Sequence, residues 1–264
     1  MNSEWSKLAR DIRESFRLWR LWVHLGWNDV AKHYRRSFLG PIWITLNTGL
    51  FVVAFSLIGA QLFKQDVESY LALFATGSII FTFFSSLISE GCAAFTSSES
   101  YLKQGAVPKL TFVFRVVVRN LVMLGHNAFI IFGALAWVGA LGAVRWGGLL
   151  FGLSMALAAA FFAVAILGAV AARYRDIPMM VTSALQVMFF LTPVMWRPEQ
   201  LTERAQWLVV LNPLAIFLDL IRRPLLGQPT TQQTVLSAVA VIVVLAAVFV
   251  PLYLTVRRKI VYWL

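Results

Sequence analysis

Six long stretches without one Asp, Glu, Lys or Arg limit what this chain can fold into. They run over 37–63, 69–89, 120–144, 146–172, 177–196 and 224–256. A helix needs about 20 mainly apolar residues to cross a bilayer, and each stretch supplies that many. Membrane β-strands would instead alternate in units of about ten residues, whereas these runs are continuous. The pattern predicts an all-α integral membrane protein with six transmembrane helices. Their cores fall near 42–63, 71–91, 112–141, 149–172, 179–196 and 235–256. Composition agrees. Hydrophobic residues make up 59% of the 264 and charged residues only 13%, against about 25% charged in soluble domains. That argues against a soluble enzyme, a disordered chain or a disulfide scaffold. The single cysteine, Cys92, has no partner within the chain, and three scattered histidines do not suggest a metal site.

A net charge of +11 would suggest nucleic acid in a soluble protein. Here the cations cluster between apolar runs, so topology is the explanation and no nucleic-acid partner is expected. Eight Lys and Arg precede the first span, four lie in the second connection, two in the fourth and three after the last span. These 17 share one side, and the other side carries 6. The positive-inside rule therefore puts both termini in the cytoplasm.

The first 36 residues form a segment of their own, preceding a transmembrane domain over 37–264, and do not have the form of a cleavable signal. At about 100° per residue, Trp5, Leu8, Ile12, Phe16, Trp19, Val23 and Trp27 share one arc, opposite Lys7, Arg10, Arg13, Arg17 and Arg20. Such a helix lies in the membrane interface or packs on the protein's own cytoplasmic face. On the external side, 198–226 is apolar in two pieces, each too short to cross. Pro198 and Asn212–Pro213 open helices, and Gly227 with Pro229 closes the second. Two short re-entrant helices are expected there.

The chain lacks a GxxxxGK[ST] phosphate loop, since no glycine precedes a lysine. Neither HExxH nor GxSxG occurs. Of the twelve carboxylates, only Glu90 falls within a predicted span. A charge at that depth needs a partner, and either Arg119 or Arg115 on the third helix is within reach. The alternative role for this group is to grip an anionic head group. His126 with Asn127 suggests an interhelical hydrogen-bond contact. Thr48, Phe51 and Phe55 line one face of the first span, and Thr182, Gln186 and Phe189 one face of the fifth. Hydroxyl, amide and aromatic groups together suit a neutral sugar chain lining a channel, or else ordinary helix packing.

The stretch His33-Tyr-Arg-Arg-Ser-Phe-Leu-Gly-Pro-Ile-Trp43 resembles the R-Y-x-x-S-x-L-G-x-x-W signature of bacterial polysaccharide-export ABC transporter permeases, with His33 in place of the usual arginine. The order of other features is similar: a basic amphipathic N-terminus, Lys103 and Pro108 in the second connection, Arg-Tyr-Arg-Asp at 173–176, Thr-Pro at 192–193 and Asn212–Pro213. The likeness is strongest to the O-antigen (Wzm-like) type, with capsule and teichoic-acid permeases as close relatives. The resemblance implies a half-transporter in the bacterial inner membrane. It would pair with a second copy and two ATP-binding subunits and export an undecaprenyl-diphosphate-linked polysaccharide, as in lipopolysaccharide biosynthesis. ATP and Mg would reside on the partner, leaving no catalytic residue, cofactor or metal on this chain. The resemblance also implies coupling to the ATPase through 97–109, with Ser98, Glu99, Tyr101, Leu102, Lys103 and Pro108. It implies an external gate at 198–226, with Trp207, Leu211, Phe217 and Leu220. Arg35 and Arg36 are placed where they would meet the lipid diphosphate, or would simply anchor the chain. The competing functions are a permease for a smaller lipid or drug and a membrane-embedded transferase acting on a lipid-linked sugar.

Overall fold

The computed structural model describes residues 2–34, 42–105 and 107–264. Among these, every regular element is helical. In chain order they are α1 (Asn2–Arg17), α2 (Trp19–Tyr34), α3 (Ile42–Leu62), α4 (Val67–Cys92), α5 (Glu99–Lys103), α6 (Leu110–Trp137), α7 (Trp146–Arg173), α8 (Ile177–Leu191), α9 (Trp207–Val210), α10 (Pro213–Leu225), α11 (Gln232–Val256) and α12 (Ile260–Trp263), joined by short 3₁₀ turns. Five of these, α3, α4, α6, α7 and α11, are long and apolar enough to cross a membrane.

The span expected over 179–196 differs. Helix α8 has 15 residues and stops at Leu191, a rise of about 22 Å. The cause is local. Thr192 is extended (φ −88°, ψ 138°) because Pro193 follows, and the residue before a proline is pushed out of the α region.

Helix α4 is the centre of the molecule. It packs against α3, α6, α7, α8 and α10 and buries Tyr70, Phe74, Ile79, Ile80 and Leu87. Its contact with α7 depends on small residues, which let two backbones come close without a hydrophobic drive from water. A Cβ on Gly168 would sit 3.0 Å from the carbonyl of Gly91. Asp66 caps the start of α4, accepting from the amides of Glu68 and Ser69.

The amphipathic N-terminus is two helices, with a turn at Leu18. Leu8, Ser15 and Val30 are buried, while Trp5, Phe16, Trp19 and Trp27 are exposed. One face thus packs on the protein and the aromatic stripe faces outward. Helix α2 lies along α6, and Gly26 permits the close approach, its would-be Cβ 3.1 Å from the carbonyl of Arg115.

The segment between α8 and α11 holds one substantial helix rather than the two expected. Asn212 caps α10 through Leu214 and Ala215, as its Asn-Pro pair predicts, and Gly227 follows at φ +76°. The stretch from Pro198 instead forms 3₁₀ turns at Pro198–Gln200 and Glu203–Ala205, then the four-residue α9. Between Glu199 and Gln206 only Leu201 and Ala205 are apolar, too little burial to offset helix nucleation.

Candidate functional site

Residues 97–109 join α4 to α6. Glu99 and Lys103 pair across one turn of α5. Tyr101 is exposed, with its ring centroid 5.9 Å from that of Phe112. Leu102 and Ser98 are buried, so these two anchor the segment rather than present a docking face. Pro108 is half-buried.

Above this segment the polar residues of α6 take separate partners. Arg119 lies 3.3 Å from Glu90, and the other Glu90 oxygen accepts from the Asn120 amide at 2.8 Å. Arg115 turns away to Asp29 on α2, at 2.6 and 2.8 Å. Asp29 is the partner of Arg115 that the sequence argument missed. The available signal was energetic, since two arginines at that depth need two acids and only one had been counted. The ring of His126 meets the Val122 carbonyl of its own helix at 2.8 Å. Asn127 is buried, and its side-chain oxygen has no hydrogen-bond partner among the described residues.

Asp11 on α1 accepts from the hydroxyl of Tyr253 on α11. Burial pushes the carboxyl of Asp11 above its ordinary value, although this hydrogen bond and the charges of Lys109 and Arg257 oppose the shift. Burial likewise pushes Lys109 down.

The residues expected to line a channel fall in two groups, both against α4. Thr182, Gln186 and Phe189 border an open cavity of about 530 Å³ together with Phe81, Ser85 and Glu90. Phe81 and Phe189 meet edge to face at 5.3 Å. Thr48 borders a different cavity, of about 140 Å³, with Glu90, Arg119 and Asn127. Phe51 and Phe55 pack on Phe74, with centroids 5.8 and 4.4 Å away. Glu90 borders both cavities, whereas Phe51 and Phe55 lie against Phe74, farther along α4.

Between α8 and α11, Trp207 and Leu211 are exposed (59% and 72%), whereas Phe217 and Leu220 are buried in the core. Asn212 donates to Thr192 at 2.9 Å, and Tyr70 donates to the Met195 carbonyl at 2.9 Å. Asp219 pairs with Arg223 at 2.8 Å. Arg222, in the last turn of α10, does not face solvent. It is 5% exposed and donates to the Pro193 carbonyl at 2.6 Å. Burial lowers its pKa to about 10. Arg35 and Arg36 lie outside the described residues, as does 37–41 of the signature stretch.

Residues 20–226 match the family model for ABC-2 type transporters. An O-antigen export system permease protein, RfbA, from Klebsiella pneumoniae is 20% identical over 200 residues, covering 71% of this chain and 73% of the relative. A protein of the same name from Myxococcus xanthus is 24% identical over 215 residues, covering 78% and 80%. The match over 20–226 takes in helices α3 to α10 and both cavities, and on it the chain belongs to the ABC-2 type transporter family.

Proposed function

We propose that this chain is the permease half of an ATP-driven exporter that carries a lipid-linked polysaccharide, of O-antigen type, out across the inner membrane. The observation that carries the reading is the cavity between α4 and α8. Aromatic faces (Phe81, Phe189), hydroxyls (Ser85, Ser89, Thr182) and an amide (Gln186) share its wall. This mixture suits a chain of sugars, whose C–H faces lie on aromatic rings while hydroxyls exchange hydrogen bonds. The relatives named for O-antigen export support the same cargo.

In this reading two copies pair, and Thr48, Phe51 and Phe55 of one copy join the polar face of α8 in lining one conduit. Helix α8 with the segment to Trp196 completes the sixth crossing, and both termini face the cytoplasm. The chain between α8 and α11 enters from the external side, and α9 and α10 are the two legs of a gate. Exposed Trp207 and Leu211 then face the conduit, while Phe217 and Leu220 hold the gate to the body. Exposed Tyr101, with Glu99 and Lys103, meets a separate ATP-binding subunit that holds ATP and Mg, and this chain needs no cofactor. Arg35 and Arg36 neutralise the lipid diphosphate where cargo comes in.

The test is reconstitution. Permease and ATP-binding subunit are placed in vesicles with lipid-linked polysaccharide, and protection of the glycan from an external glycosidase is followed. ATP-dependent transfer of the glycan to the far side is expected. A complex that hydrolyses ATP and moves a short lipid or drug but no polysaccharide would overturn the cargo assignment.

A further inference from the structure

One guanidinium is shared by three parts of this molecule. The Nε and one terminal nitrogen of Arg115, on α6, grip both oxygens of Asp29 on α2, at 2.6 and 2.8 Å. The other terminal nitrogen donates to the hydroxyl of Ser98 at 3.0 Å. Ser98 is fully buried and closes the 3₁₀ turn that leads directly into α5. Arg115 and Asp29 are themselves largely out of water, 16% and 17% exposed. A planar fork can serve two acceptors in fixed directions, which a lysine ammonium cannot.

Helix α5 has five residues, too few to hold a position alone, since a short helix takes its stability from tertiary contacts. It is held on one side by α12 and on the other by α6: Leu102 is buried, the Tyr101 ring lies beside Phe112, and Ser98 is bonded to Arg115. Helix α2 is fixed to the same stretch of α6 by Asp29 and by the close approach at Gly26. The neighbouring pair is built differently. Arg119 reaches Glu90 with one nitrogen at 3.3 Å, and both side chains are about a third exposed.

We propose that Arg115 is a positioning residue that makes α2, the cytoplasmic end of α6 and the α5 segment one mechanical body, so that displacement of α5 moves α2 with it. The transport consequence rests on the α5 segment being the ATPase contact, whereas the linkage itself does not.

The experiment uses the full-length chain in lipid nanodiscs, with Cys92→Ala removing the native thiol. Spin labels go on Ala31→Cys in α2 and Gln104→Cys at the end of α5, both exposed positions. Pulsed electron resonance reads the distance distribution between them. A single narrow distance is expected with Arg115 intact. Ser98→Ala removes only the α5 arm, and Arg115→Lys keeps the charge beside Asp29 but loses the fork. Each should broaden the distribution about twofold or more, as local opening is released. In the assembled transporter, polysaccharide moved per ATP hydrolysed should fall about tenfold in both variants, the size of a coupling near 1.4 kcal/mol. Unchanged distributions in both folded variants would overturn the linkage. A narrow distance with Arg115 intact, in a complex that moves no polysaccharide, would instead sink the transport reading and leave the linkage standing.

Discussion

At the residue scale, the tightest constraints are points where one atom more would not fit. A Cβ on Gly77 would sit 2.5 Å from the carbonyl of Val194, and one on Gly152 would sit 2.5 Å from that of Leu220. Both obstacles are backbone and neither can rotate away. Gly77→Ala and Gly152→Ala are each expected to cost about 1–3 kcal/mol through overpacking, read as a lower thermal midpoint of the solubilised protein. Asp11 permits a test by pH. Burial raises its pKa, so the fold favours the protonated carboxyl. The penalty on the carboxylate is present in full above the raised value. It shrinks as pH falls through the raised value and is gone below the ordinary value. Asp11→Asn keeps an acceptor for Tyr253 and is expected to be at least as stable as the parent at neutral pH. That advantage should narrow on acidification, in thermal midpoints measured at neutral and mildly acidic pH. A gap that widens instead would mean that the charge partnership with Lys109 and Arg257 outweighs burial.

At the element scale, residues adjacent in sequence take opposite duties. In α5, Tyr101 faces out and Leu102 faces in. Leu102→Ala should therefore cost about 2–5 kcal/mol as a core truncation and lower the amount of folded permease. Tyr101→Ala should leave that amount unchanged and weaken binding to the ATP-binding subunit, measured by co-purification. The segment between α8 and α11 divides the same way. Phe217→Ala opens a buried cavity and is expected to cost about 3–5 kcal/mol. Trp207→Ala with Leu211→Ala touches only exposed side chains and should raise resting dye leak from proteoliposomes without ATP. Equal tightness in the altered and unaltered proteins would remove α9 from the gate.

At the scale of the whole molecule, the chain has no phosphate loop, and its family works with ATP-binding subunits. Purified alone it is expected to turn over no ATP. Hydrolysis should appear on co-expression with its partner and should depend on the partner's own phosphate-binding lysine. Robust turnover by the permease alone would contradict this division of labour. In the proposed reading, the other wall of the cavity between α4 and α8 comes from a second copy.

Membrane residence, the helical class and the order of the long helices were legible in the sequence, because uncharged runs leave the backbone no partners in lipid except its own. The caps at Asp66 and Asn212 were equally local, since a side chain reaching its own helix start depends on nothing distant. The end of α8 at Leu191 was also readable, through the proline at 193, though the apolar run concealed it. Which arginine meets which acid was not legible. Arg115 and Arg119 lie one turn apart on α6, and only the placement of α2 beside α6 brings Asp29 to the first and leaves Glu90 to the second. Nor did periodicity show that Leu102 is an anchor, or that Arg222 is buried against the Pro193 carbonyl. Periodicity fixes the face on which a side chain lies, but the neighbour covering that face comes from elsewhere in the chain, and only the packed fold supplies it.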